Sequence, residues 1–100
     1  MSVLMTLRVS GDPKGVEGFD IDRIRSIVDT AQAHGVLKHR FFTNGSEILV
    51  VDEWPDQETF QKFFDSAPEI GEVMAAAGVT AQPTIEFWDR MNVDDAVAWD

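Results

Sequence analysis

The stretch ILVVDEWPDQETFQKFF, Ile48 to Phe64, decides the fold of this chain. Its first half is an aliphatic strand, and its second half places phenylalanines at helical spacing. Pro55 and Asp56 separate the two halves, because proline interrupts a strand and aspartate caps the helix that follows. Asp52 stands near the end of the otherwise apolar strand. The function depends on whether the Asp52 side chain faces solvent or lines a pocket.

The same patterns, followed outward, predict four strands and two helices. Strand alternation covers Met1–Val9, and the glycine-rich GDPKGVEG that follows predicts a loop. The order β-α-β-β-α-β predicts an α+β, ferredoxin-like two-layer sandwich, with an antiparallel sheet and both helices on one face. The other predicted elements are a helix from Asp20 to Gly35, strands over Val36–Phe42 and Glu47–Trp54, a helix from Asp56 that restarts at Pro68 and ends at Gly78, and a strand over Thr84–Met91.

Composition limits the partners that we expect. One hundred residues predict a single domain, over residues 1–91, followed by an acidic tail, residues 92–100. A net charge of −10 argues against nucleic acid, whose phosphates draw clustered lysine and arginine. No stretch resembles a signal peptide or a membrane span, so we expect a cytoplasmic protein without membrane contact. Without cysteine, thiolate metal sites are excluded.

The pair Asn44-Gly45 predicts a two-residue hairpin turn, from which a strand register follows. In that register His39 faces Val50, and Asp52 is its diagonal neighbour on the same side of the sheet. This side is mainly apolar and is expected to lie under the helices. It comprises Leu37, His39, Phe41, Ile48, Val50, Asp52 and Trp54, joined by Val3, Met5, Leu7, Ile85 and Phe87.

The opposite side of the predicted sheet mixes charges with large apolar side chains. An exposed apolar patch of this extent is uncommon in monomers. We therefore expect a second copy of the chain to cover this side in a two-fold homodimer, with an ordinary solvent face as the alternative. The apolar members are Leu4, Phe42, Leu49, Val51 and Trp88.

The element order, the Asn-Gly hairpin and the stretch VVDEWPDQETFQKFF resemble the dimeric α+β barrel superfamily, closest to its antibiotic biosynthesis monooxygenase-like branch. The resemblance covers roughly Ser2 to Met91. It implies a homodimer whose sheets meet face to face to form an α+β barrel, with a small pocket between sheet and helices in each subunit. Members act on quinol-like aromatics without cofactor, degrade haem, or have no known activity.

Carried over to this chain, the resemblance places Trp54 at the pocket tryptophan of the oxygenase members. The chain departs from them elsewhere: it has no tyrosine, and Phe60 and Val50 stand where those enzymes have a pocket tyrosine and a strand asparagine. The first strand has no asparagine and the second helix no histidine, so haem chemistry is not expected. We expect no cofactor.

His39 and Asp52 are the candidate catalytic residues. His39 would act as a general base whose tautomer Asp52 sets, able to deprotonate a phenol or an enolisable carbon. A structural histidine bonded to a strand-end aspartate is the alternative. The function is accordingly a cofactor-free monooxygenase-like activity on a small aromatic substrate, quinol or polyketide-like, or non-catalytic ligand binding by an accessory dimer. The substrate-binding wall is predicted to be Trp54, Phe41, Phe60, Phe63, Met74 and Met5.

Overall fold

The computed structural model describes residues 1–99, and it confirms the predicted α+β, ferredoxin-like fold. One four-stranded antiparallel sheet has the order β2-β3-β1-β4. Within these residues no helix is long and apolar enough to cross a membrane. The elements are β1 Val3–Ser10, α1 Pro13–Glu17, α2 Ile21–His34, β2 Lys38–Thr43, β3 Glu47–Trp54, α3 Gln57–Ser66, α4 Glu69–Ala76 and β4 Thr84–Asp89.

The capping residues read from the sequence set the ends of the long helices. Asp20 caps α2 and accepts a hydrogen bond from the backbone N–H of Asp22, while Gly35 ends that helix at a φ of +109°. Asp56 caps α3 and accepts from the hydroxyl of Thr59 at 2.6 Å and from its backbone N–H at 2.7 Å. These two bonds stabilise the carboxylate and hold the pKa of Asp56 below its usual value.

The prediction of a plain loop over GDPKGVEG is wrong, because its middle forms the short helix α1. Asp12 caps this helix by accepting from the backbone N–H of Lys14 at 2.9 Å, and Pro13 occupies the first turn, where a missing N–H costs nothing. Gly15 lets α1 approach the end of α4. A Cβ at this position would lie 2.4 Å from the carbonyl oxygen of Ala76.

Replacing Gly15 by alanine is therefore expected to destabilise the protein by about 1–3 kcal/mol, the usual cost of overpacking. Gly71, in the interior of α4, is a matched control, since a Cβ there meets no atom within 4 Å. Gly71→Ala should leave stability unchanged or raise it by about 0.5–1 kcal/mol through helix propensity. Urea unfolding of both variants tests the contact, and equal stabilities for the two would refute it.

The hairpin register differs from the predicted one by two residues. Thr43 pairs with Ile48, so four residues and not two lie between the last paired positions of β2 and β3. Oδ1 of Asn44 accepts hydrogen bonds from the backbone N–H groups of Ser46 at 3.1 Å and Glu47 at 2.8 Å, and these bonds extend the turn. Because strand side chains alternate with period two, a shift of two moves no residue to the other face.

The corrected register brings His39 directly opposite Asp52, where a diagonal relation was predicted. Asp52 also pairs with Met5 on β1, and Met5 pairs with Phe87 on β4. These four residues form one row across the side of the sheet that faces the helices. Leu37 is an exception to the predicted inner face: it precedes β2 and is 58% exposed.

The opposite side of the sheet, which we call the outer face, carries the apolar residues assigned to it. Phe42 and Trp88 are 49% and 50% exposed, and Leu4, Leu49 and Val51 are partly exposed. Residues 92–99 of the tail border the outer face at one end, where the Nζ atom of Lys38 lies 5.0 Å from the centre of the Trp99 ring. Asp100, the last residue of the predicted tail, lies outside the described residues.

Candidate functional site

An apolar cavity of about 110 Å³ lies between the inner face of the sheet and the helices. The strand positions lining it come from β1, β2 and β3, and the helices contribute their apolar stripes. Within the described part of the chain, His39 and Asp52 are the only ionisable residues in its wall. The wall also includes Met5, Leu7, Val9, Ile24, Ile27, Val28, Ala31, Phe41, Ile48, Val50, Phe60, Phe63, Phe64, Ile70, Val73, Met74 and Ala77.

The cavity meets solvent at strand β2, which is an edge of the sheet. Phe41 is 37% exposed and the side chain of His39 is 26% exposed, whereas the other wall residues are buried or only partly accessible. The two rings meet edge to face, with centroids 5.0 Å apart. His39 and Phe41 are thus the most accessible residues of the wall, and the other wall residues lie deeper.

A chain of hydrogen bonds holds the imidazole of His39 in place. Its Nδ1 atom lies 2.7 Å from Oδ1 of Asp52, whose side chain is almost fully buried. The other carboxylate oxygen, Oδ2, accepts the indole N–H of Trp54 at 3.1 Å. Trp54 itself is fully buried. Both oxygens of Asp52 are thus engaged, one by the histidine and one by the tryptophan.

This arrangement can accept a proton at the mouth of the cavity. A carboxylate oxygen only accepts hydrogen bonds, so the proton shared with Asp52 lies on Nδ1 of His39. In the neutral ring, Nε2 then carries the free lone pair, and no group among residues 1–99 donates a hydrogen bond to it. The described residues contain no group of three His, Cys, Asp or Glu side chains able to hold a metal ion.

Most of the predicted site residues lie around one cavity. His39 and Asp52 are in contact, and Phe41, Phe60, Phe63, Met74 and Met5 all line the wall. Trp54 does not line it. Its ring stacks on Phe63 at 5.3 Å and meets Phe60 edge to face at 5.6 Å, behind the wall. Its contact with the site is the hydrogen bond to the Asp52 carboxylate.

The sequence carried a signal for that hydrogen bond. Asp52 and Trp54 are two apart on β3, so their side chains point to the same face, and a buried indole N–H needs an acceptor. The α2 wall residues Ile24, Ile27 and Val28 have the spacing of one apolar helix stripe, but this spacing does not assign them to a site. Periodicity shows that a stripe is buried, and it does not show whether the space beneath it is filled.

Comparison with solved structures identifies the fold independently. SnoaB, a cofactor-independent oxygenase from Streptomyces nogalater, is 12% identical, with 95% of this chain and 98% of that chain covered and a TM-score of 0.64. The monooxygenase from the gene ActVA-Orf6 of Streptomyces coelicolor, in complex with the ligand nanaomycin D, is 13% identical, with coverage of 95% and 93% and a TM-score of 0.64. A conserved protein from Methanosarcina mazei Go1 is 11% identical, with coverage of 91% and 94% and a TM-score of 0.64.

No protein-family model matches the sequence, and no curated protein matches it significantly. At identities of 11–13%, the structural likeness establishes the fold and leaves the chemistry to be argued from the site. The chain has the fold of the antibiotic biosynthesis monooxygenase-like structures, as the sequence resemblance predicted.

Proposed function

We propose that the protein is a cofactor-free monooxygenase-like enzyme acting on a small electron-rich aromatic. His39 is the general base, Asp52 fixes its tautomer, and the apolar cavity holds the ring of the substrate. The observation that carries this proposal is the 2.7 Å contact between His39 and a buried carboxylate, placed at the mouth of an otherwise apolar cavity. Monooxygenases among the structures of the same fold support it.

The reaction needs a proton acceptor and dioxygen. Nε2 of His39 takes the proton of an aromatic hydroxyl, and the resulting anion transfers electrons to O₂ and forms a carbon–oxygen bond. The ring carbon then loses its hydrogen, the O–O bond breaks, and one oxygen atom leaves as water. For a dihydroxybenzene the balance is C₆H₆O₂ + O₂ → C₆H₄O₃ + H₂O, a hydroxyquinone, in which the substrate loses four electrons.

Apolar walls favour this chemistry. The neutral substrate enters without the cost of desolvating a charge, while the charge that develops forms beside the imidazolium created by the proton transfer. In surroundings of low polarity that attraction is stronger than in water. Asp52 stabilises the imidazolium from its other side through the bond to Nδ1. The buried carboxylate of Asp52 therefore lowers the free energy of the ion pair formed in the proton-transfer step.

Oxygen uptake tests the proposal. The protein is mixed with a dihydroxybenzene in isotopically labelled O₂, and the rate above spontaneous oxidation and the label in the product are measured. We expect protein-dependent uptake with one labelled oxygen atom in the organic product. Uptake equal to the protein-free rate would overturn the enzymatic proposal.

The second candidate function is non-catalytic binding of a small apolar ligand. Phe60 and Val50 favour it, because they stand where the oxygenase members have a pocket tyrosine and a strand asparagine, and neither side chain can take part in acid–base chemistry. In this case His39 and Asp52 are a structural pair closing the edge of the sheet. Ligand binding without oxygen uptake would select this function.

We also propose that the outer face pairs with a second copy of the chain in a two-fold homodimer. Val51 lies at its centre, beside Thr6 and Arg40 in the register of the sheet. We expect a solution mass of twice 11.2 kDa at micromolar concentration, and a shift to the monomer mass in a Val51→Lys variant, because a buried lysine without a partner is costly. Light scattering after size-exclusion chromatography measures both.

The matched control for the dimer is Gln32→Lys, which adds the same charge at an exposed position of α2. It should leave the dimer intact. A monomeric wild-type protein, or equal dissociation of both variants, would contradict the proposed interface.

A further inference from the structure

We infer that the cavity takes a neutral, single-ring ligand whose polar groups are gathered on one edge, such as a 1,2-dihydroxybenzene. The ring lies inside the cavity and the hydroxyl groups lie at the mouth, where one of them donates to Nε2 of His39. This inference rests on the proposed function and deepens it by naming the substrate class.

The volume of the cavity limits the ligand to one ring. An apolar cavity of about 150 Å³ holds benzene in another protein. At about 110 Å³, this cavity is smaller than that one, so the ring fits only with its hydroxylated edge outside the cavity, and a second fused ring has no space. The wall residues around the floor belong to packed helices, so enlarging the space would separate elements of the core.

The charges of the wall exclude an anionic ligand. Of the residues described, no lysine or arginine lines the cavity, and its one buried charge is the carboxylate of Asp52. A ligand carboxylate would lose its hydration, and the one wall group that could pair with it, His39, would first have to take up a proton. A ligand cation is also disfavoured, because both oxygens of Asp52 already accept hydrogen bonds, one from His39 and one from Trp54. The lone pair on Nε2 of His39 can instead accept a hydrogen bond from a neutral hydroxyl group.

The position of His39 at the mouth orients the ligand. The hydroxyl that meets Nε2 is at the solvent side of the cavity, so the opposite carbon of the ring points towards an apolar floor of buried side chains such as Val73 and Phe60. A second hydroxyl next to the first stays at the mouth, within reach of water. A second hydroxyl on the opposite carbon would be buried without a partner.

Two isomers with the same atoms therefore provide the test. Titration calorimetry of the full-length protein without oxygen compares 1,2-dihydroxybenzene with 1,4-dihydroxybenzene. We expect the 1,2-isomer to bind about 5- to 100-fold more tightly, the effect of leaving one buried hydroxyl unsatisfied. The size control is 2,3-dihydroxynaphthalene, which keeps the adjacent hydroxyls and adds one ring, and the charge control is benzoate. Neither should bind detectably.

A His39→Leu variant removes the acceptor and should lower the affinity for 1,2-dihydroxybenzene about 2- to 10-fold, as expected for one lost hydrogen bond. Equal binding of the two isomers, tight binding of the naphthalene diol or of benzoate, or no binding of the 1,2-isomer would each overturn the inference. Isomer preference without oxygen uptake would leave the ligand class standing and remove the enzymatic proposal. Oxygen uptake without isomer preference would support the enzymatic proposal and overturn the ligand class inferred here.

Discussion

A His39→Gln variant is expected to oxidise 1,2-dihydroxybenzene about 10²- to 10⁴-fold more slowly than the wild-type protein, the range of a lost general base. Glutamine keeps most of the volume of the side chain and a hydrogen bond to Asp52, but its amide does not take a proton at neutral pH. The loss should therefore appear in kcat with little change in KM. The measurement is the initial rate of oxygen uptake above the protein-free rate.

His34 provides the matched control, since the chain has two histidines. Its Nδ1 lies 2.9 Å from the carbonyl oxygen of Thr30 in the last turn of α2, and it does not line the cavity. His34→Gln should keep the wild-type rate. Equal rates for wild type and His39→Gln would show that His39 is a structural residue.

Replacing Trp54 by alanine is expected to destabilise the protein by about 3–5 kcal/mol, the usual cost of removing a large buried aromatic ring. Trp54 is fully buried and packs on Phe60 and Phe63. A domain of this size has roughly 5–15 kcal/mol of stability in total, so the variant should unfold at markedly lower urea concentration. Chemical unfolding followed by circular dichroism measures the change.

Trp54→Phe separates packing from the hydrogen bond to Asp52. Phenylalanine keeps a ring against Phe63 but leaves Oδ2 of Asp52 without its donor, so a smaller loss, about 1–3 kcal/mol, is expected. If Trp54 acts on the site through Asp52, this variant should also reduce kcat while leaving KM nearly unchanged. A Trp54→Ala protein as stable as wild type would contradict its placement in the core.

The fold could be predicted from the sequence because its signals are local and mutually consistent. Asp20 and Asp56 cap helices where the sequence placed them, and the alternation of β3 correctly assigned Asp52 and Trp54 to the inner face. The position at which the hairpin closes was less predictable. The side chains of Asn44 and Thr43 bond the backbone N–H and the carbonyl oxygen of Glu47, which widens the turn. Period-two patterning cannot detect the resulting shift of two residues.

Most residues around the cavity could be predicted from the sequence, but the volume of the cavity could not. His39 and Asp52 share a face in any register of the right parity, so their proximity follows from the strand pattern. The volume of the cavity depends on how far the helices stand from the sheet, which no single residue determines. Trp54 was also only partly predictable. It points towards the helices as predicted, but it stacks on Phe63 behind the cavity wall and does not line the cavity.

The most direct test of the central claim is nitrogen NMR of histidine-labelled protein, titrated with 1,2-dihydroxybenzene without oxygen. We expect the neutral ring of His39 to carry its proton on Nδ1, and its Nε2 resonance to move on addition of ligand while the resonances of His34 stay in place. A proton on Nε2 in the free protein, or an Nε2 resonance unchanged at saturating ligand, would contradict it.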